Sequence, residues 1–149
     1  DDIETIHAAT DLLAEPKLSP ELRNEALYYR AKAYVKQKAD KKAMDDFREL
    51  AKDTRNPYGA EAKYLVAQSL YDAKEYAAAE KELLNYIEQS TPHAYWLARS
   101  FVLLSDVYAA TGKDLDARQY LLSLQQNYQG NDDIASMIES RLAKLKGEN

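Results

Sequence analysis

Cysteine is absent from this 149-residue chain, which leaves it no disulfide framework and no thiolate chemistry. The same absence leaves the compartment open, because a cysteine-free chain is at ease in oxidising and reducing surroundings alike. Histidine occurs only twice, at His7 and His93, on segments far apart in any array of stacked helices. With no glycine-rich phosphate loop either, the usual means of acid–base, nucleophilic or phosphoryl chemistry are missing, and an enzyme is not expected. Glycine and proline are scarce at four each, which fits a helical, soluble protein. No apolar run reaches membrane-spanning length, so no bilayer crossing is expected. Basic residues are in the minority, 20 Lys and Arg against 25 Asp and Glu; the net charge of −5 argues against general nucleic-acid binding, which needs a basic face. No signal peptide is visible. The chain opens on an acidic amphipathic stretch, DDIETIHAATDLLAE, so any targeting segment is expected to have been removed or never to have existed.

What is present is organised around residues 56–90, NPYGAEAKYLVAQSLYDAKEYAAAEKELLNYIEQS, which read as one complete helix-turn-helix unit. Tyr64, Leu70, Leu83 and Tyr86 recur at three- and four-residue spacing and form apolar faces, while Ala67 and Ala79 sit where two antiparallel helices approach most closely. Residues 71–76 between them offer only a short polar connection, the usual length for antiparallel helical neighbours.

The pattern recurs on both sides. Tyr28, Ala31, Tyr34, Ala43, Phe47 and Leu50 upstream, and Val102, Ser105, Tyr108, Ala117, Leu121 and Leu124 downstream, repeat the spacing of Tyr64, Ala67, Leu70, Ala79, Leu83 and Tyr86. The offsets are 36 and 38 residues, so the third unit is expected to carry a small insertion, placed before its first helix at residues 89–95. Self-similarity at such a period is the mark of a solenoid.

A small residue, an aromatic three on, an alanine nine beyond and a large apolar residue four later, as in Ala31, Tyr34, Ala43 and Phe47, resembles the tetratricopeptide repeat, and the resemblance covers nearly the whole chain. Arg30 and Lys63 depart from it where a large apolar residue is usual, and only Gly112 supplies the expected glycine between helices. The wording of NPYGAEAKYLVAQ and TPHAYWLARSFVLLSDVYAATG also resembles envelope-associated repeat proteins of Gram-negative bacteria: outer-membrane assembly lipoproteins, Tol-Pal coordinator proteins and large multi-repeat proteins of the Bacteroidetes. The narrower resemblance implies a periplasmic or cell-envelope setting.

The expected architecture is therefore all-α, a right-handed tetratricopeptide-like superhelix of three hairpins in one domain spanning residues 1–149. Within it, residues 1–15 form a half repeat, 19–54, 56–90 and 91–128 the three repeats, and 131–146 a capping helix. The first helix, with Ile3, Ile6, Ala9 and Leu13 on one face, has no preceding partner, so the chain is expected to be a fragment of a longer array. Ser19 with Pro20, Asn56 with Pro57, and Thr91 with Pro92 are expected to open the first helices. The third of these is expected to be a turn longer, with Tyr95 and Trp96 in that turn. Asp40 and Asp114 are expected to cap the second helices, and Gly112 and Gly130 to mark breaks. The last helix sets Ile134, Ile138, Leu142 and Leu145 on one side and charge on the other, as the end of a solenoid requires.

Four constellations bear on function. His93, in the first turn after Pro92, is read as a packing or capping residue rather than a base. Asp45 with Asp46 and Asp132 with Asp133 are adjacent on helices and do not face a common point, so no metal site and no cofactor are expected. The run Lys36, Lys38, Lys41 and Lys42 straddles a helix junction and reads as a solvated turn, or else as an electrostatic docking patch. Tyr34, Tyr76, Tyr86 and Tyr108, among twelve tyrosines, are expected to pack between helices. Tyr28, Tyr64 and Tyr71 fall where either the core or a concave surface would take them.

The resemblance implies that first helices line an inner face, here Tyr28, Lys32, Val35 and Lys36, then Tyr64, Gln68, Tyr71 and Asp72, then Arg99, Val102 and Asp106. Those eleven positions are the expected partner-binding surface, for a protein or peptide of mixed polarity. The positions at which some members of the family clamp a C-terminal carboxylate carry Tyr28, Tyr29 and Lys32, then Tyr64, Leu65 and Gln68, so no such clamp is expected. Self-association through the exposed half repeat is a further expectation, and a purely structural spacer in an envelope array is the alternative to binding.

Overall fold

The computed structural model describes residues 1–89 and 91–146. Those residues form eight α-helices and no strand: α1 (Asp2–Leu13), α2 (Pro20–Lys36), α3 (Asp40–Leu50), α4 (Pro57–Asp72), α5 (Tyr76–Glu88), α6 (Ala94–Ala110), α7 (Asp114–Asn127) and α8 (Ile134–Lys146). The chain divides into two compact units, Asp1–Val66 and the part from Ala67 on, with the division inside α4. In the first unit α2 and α3 form a packed hairpin and α1 lies against α2. In the second, α6 is central and packs on α5, α7 and α8, while α7 also packs on α8.

The helix starts follow local chemistry. Ser19 accepts from the Leu22 N–H at 3.2 Å, with Pro20 next in line, where its missing donor costs nothing. Asn56 does the same for the Gly59 N–H at 2.8 Å. Asp40 and Asp114 do not cap: each is already inside its helix, behind Ala39 and Lys113, which have no capping side chain. Their carboxylates still favour the positive end of the helix dipole from the first turn. At the third repeat, Thr91 Oγ1 accepts from the His93 N–H at 3.3 Å and α6 begins only at Ala94. The α6 helix has 17 residues, the same as α2, so it is not a turn longer. The insertion lies earlier: α5 runs 13 residues against 11 for α3, continuing through Ile87 and Glu88 beyond the position where α3 stops.

The ends of the first helices are built alike. Lys38, Lys74 and Gly112 stand at matching repeat positions and all have positive φ, 59°, 62° and 80°. Each closes a Schellman motif, in which Ala39, Glu75 and Lys113 donate to Tyr34, Leu70 and Tyr108 carbonyls at 2.8, 2.9 and 2.8 Å. Glycine is thus not required for the turn, only favoured by it.

The repeat positions form the core. Ala31, Ala67 and Ser105, then Ala43, Ala79 and Ala117, then Phe47, Leu83 and Leu121, are all almost wholly buried. Burying a large apolar side chain of this kind is worth about 1.5–3 kcal/mol. Ile134, Ile138 and Leu145 of α8 are buried as well, in keeping with its amphipathic pattern. The face of α1 is shifted from expectation: Ala9 is buried and Ile6 and Leu13 half-buried, but Ile3 is 54% exposed. Gly59 is needed for space, since a Cβ there would stand 1.8 Å from the Asp53 carbonyl oxygen. Of the two polar departures from the pattern, Arg30 pairs with Asp46, and Lys63 is among the buried residues.

Candidate functional site

In the first unit, the surface of α2 carries a tyrosine, a lysine and a glutamate in direct contact. Tyr28 and Lys32 are one turn apart on α2 and both reach Glu61 of α4: the Tyr28 hydroxyl donates to Oε1 at 3.0 Å and the Lys32 ammonium meets Oε2 at 2.7 Å. The ammonium also lies 5.3 Å from the centre of the Tyr28 ring, within range of a cation–π attraction. Burial pushes the Tyr28 hydroxyl above its ordinary pKa, and the Glu61 acceptor adds to this. Burial alone would lower the pKa of Lys32, but the hydrogen bond and charge of Glu61 outweigh it and the net shift is upward. Tyr58 of α4 packs its ring 4.5 Å from Tyr28, and Tyr29 meets Tyr28 edge-on at 5.4 Å. Val35 and Lys36 are exposed at the end of the same helix.

In the second unit, Asp106 on α6 holds Arg141 of α8 with both carboxylate oxygens, at 3.1 and 3.2 Å. Tyr71 packs against Tyr76 at 5.6 Å between ring centres. Burial raises the Tyr71 pKa, and the negative charge of Asp106 raises it further. Gln68 donates to Asp72 at 2.9 Å. Arg99 donates to the Tyr95 hydroxyl at 2.9 Å, which in turn donates to Asp133 at 2.9 Å, and its guanidinium lies 5.9 Å from the Trp96 ring centre.

Nine of the eleven expected surface residues are therefore half-buried or exposed. Tyr64 and Val102 are not: they are 5% and 3% exposed and belong to the interior. Around Tyr64, α4 is buried at Ala60, Ala62, Lys63, Val66 and Ala67 as well, so this stretch has almost no solvent face. Val102 is enclosed because α6 packs on three other helices. Of the three tyrosines that fitted core or surface equally, Tyr64 is core, while Tyr28 and Tyr71 are half-buried.

Sequence reasoning missed Glu61, Tyr58 and Arg141. Lys32 and Asp106 occupy matching positions of the sequence pattern, and each meets an oppositely charged side chain from a later helix. The sign of the pair reverses between the units, Lys32 with Glu61 and Asp106 with Arg141. His93 has its backbone in the N-cap position of α6. Among the described residues, no three His, Cys, Asp or Glu side chains gather as metal ligands. No described helix is long and apolar enough to cross a membrane.

No family model matches this chain, and no match is found among curated proteins or among solved structures.

Proposed function

We propose that the chain is a non-enzymatic interaction module built as a tetratricopeptide-like solenoid, which binds a peptide segment or a helix of a partner protein on its first-helix face. One observation carries this reading: in each unit that face presents a half-buried tyrosine beside a charged pair, Tyr28 with Lys32 and Glu61, and Tyr71 with Asp106 and Arg141. Such a tyrosine is already fixed by its neighbours, so it offers contact area with little rotamer entropy left to lose. The charged pairs supply both signs at defined places, which suits a ligand of mixed polarity rather than nucleic acid.

The test starts by selecting a binding peptide from a displayed library of helical and extended sequences. Tyr28→Ala combined with Tyr71→Ala should then weaken binding by at least about 2 kcal/mol in calorimetry, with helicity retained. Leu115→Ala with Leu122→Ala, on the exposed outer side of α7, should leave it unchanged. The opposite pattern would place binding on the second helices and overturn the proposal. A spacer role is the second reading, and the burial of Tyr64 and Val102 favours it, because it removes two anchors from the proposed surface; failure to select any peptide would support it.

A further inference from the structure

The charged pairs of the first-helix face are turned one way. In the first unit the Lys32 side chain is 40% exposed and its partner Glu61 15%; in the second, Arg141 is 33% exposed and Asp106 19%. The cation is the outer member each time. The carboxylates are engaged through both oxygens, Glu61 by Tyr28 and Lys32 and Asp106 by Arg141. The cations keep donors to spare: Glu61 takes one of the three N–H groups of the Lys32 ammonium. Arg141, with five, donates to Asp106 from Nε and one terminal nitrogen and to Ser140 from the other at 3.4 Å.

The end of α2 extends the cationic side. Lys36, one turn beyond Lys32, is exposed and forms no ion pair among the described residues. No acidic residue occurs between Tyr28 and Ala39; Asp2 and Asp40 stand at the far end of the helix, where Asp2 accepts from Gln37 at 3.4 Å and Asp40 opens α3. The negative end of the helix dipole accounts for a lysine in the last turn, but not for Lys32 lying outside its own carboxylate. Val35, 44% exposed, and the half-buried Tyr28 share this face with the two lysines. Toward the N-terminus α2 turns acidic, with Glu21 and Glu25 exposed. In the second unit the exposed Asp72, held by Gln68, adds a negative charge, so the cationic character is strongest on α2.

A donor-rich, positively charged strip flanked by apolar side chains is complementary to negatively charged acceptors. We infer that the segment bound on the first-helix face is acidic: its Asp or Glu side chains meet Lys32 and Lys36, its apolar side chains cover Tyr28 and Val35, and it lies across the C-terminal half of α2, clear of Glu21 and Glu25. This rests on the first-helix face being the binding surface and narrows what that face takes.

The test uses peptides selected against the full chain from a displayed library of short random sequences, each then prepared with a free and with an amidated C-terminus. Enrichment of Asp and Glu together with large apolar residues is expected, with affinity falling several-fold between about 0.05 M and about 0.5 M sodium chloride. Lys36→Glu, at an exposed site with no ion pair to lose, should weaken binding about ten-fold or more, and a peptide with one acidic residue changed to lysine should recover affinity for that variant. Lys32→Gln should weaken binding in the same direction, and Glu25→Gln should not. Peptides that lose binding to Tyr28→Ala, yet show no acidic bias and ignore Lys32→Gln and Lys36→Glu, would overturn the inference while leaving this face as the binding surface. Peptides indifferent to all three variants would overturn both, as would failure to select any. Loss of binding on amidation would also overturn the inference, because a chain end rather than acidic side chains would then be what the lysines hold.

Discussion

Arg30 grips Asp46 across the α2–α3 hairpin with two hydrogen bonds, from Nε at 2.8 Å and from a terminal nitrogen at 2.7 Å, at a position where the other repeats carry Val66 and Leu104. Asp46 is 5% exposed, and the guanidinium finds a further acceptor in the Thr10 hydroxyl of α1 at 3.2 Å. The pair therefore fills an apolar repeat position and ties three helices together. Its two charges have been taken from water, and their mutual attraction must first offset that loss.

Removing one partner exposes this balance. Asp46→Ala should cost about 3 kcal/mol in urea unfolding, because Arg30 would be left with an uncompensated charge in a largely desolvated place. Replacing both, Arg30→Leu with Asp46→Leu, should return stability to within about 1 kcal/mol of the parent or above it. A double variant as unstable as the single one would show that the pair contributes more than the apolar residues used by the other repeats.

The three matching helix ends predict a gain. An L-residue in the left-handed region costs roughly 1–2 kcal/mol relative to its usual conformation, and glycine does not bear that cost. Lys38→Gly and Lys74→Gly should each raise stability by about 0.5–1 kcal/mol. Gly112→Ala should lower it by about 1 kcal/mol, and for conformational reasons alone, since nothing lies within 4 Å of the added methyl. Unfolding midpoints that move the other way at Lys38 would show that its side chain contributes contacts outweighing the backbone cost.

The helices, their order and most of the core were legible because the signals are local or periodic. Ser19 and Asn56 cap where their sequence context says they should, and the buried alanines recur at a fixed spacing. What escaped the sequence depends on neighbours. Nothing local to Tyr64 distinguishes it from Tyr28, yet one is enclosed and the other half-open. Asp40 has the chemistry of a cap, but the Schellman turn at Lys38 hands the chain to α3 one residue early, with Ala39 in the capping place. Gly59 looks like an ordinary helical glycine until the Asp53 carbonyl is seen against it. For the surface, Tyr28, Lys32 and Asp106 were readable from position, whereas Glu61 and Arg141 required knowing which helix follows in space.

Alkaline pH should destabilise the protein. Burial raises the pKa of Tyr108, helped by a hydrogen bond to Glu80; desolvation, and then hydrogen bonding to Asp132, push Tyr128 up to about 12. Between the ordinary tyrosine value of 10.0 and about 12, the unfolded chain has released the Tyr128 proton while the folded chain still holds it. The unfolded state then binds fewer protons, so stability falls as pH rises through that window and is unaffected below it. Thermal midpoints should decline from about pH 10 upward, with a shallower decline in Tyr128→Phe. A midpoint that stays level to about pH 11.5 would show that the folded tyrosines titrate like those of the unfolded chain.

The last prediction separates the two ways α8 is attached. Its apolar side buries Ile134, Ile138 and Leu145, and its polar side contributes Arg141 to the Asp106 pair, whose side chains are 33% and 19% exposed. An ion pair that still touches solvent is screened and contributes under about 1 kcal/mol, whereas a buried isoleucine cut to alanine loses its transfer energy and leaves a cavity, about 2–4 kcal/mol. Ile138→Ala should therefore destabilise the second unit severalfold more than Arg141→Ala. The two variants should also differ under salt: about 0.5 M sodium chloride should narrow the small effect of Arg141→Ala and leave that of Ile138→Ala in place. If Arg141→Ala proved the more damaging, the charged pair rather than the apolar face would be what holds α8 against α6, and the reading of α8 as an apolar-faced cap would fail.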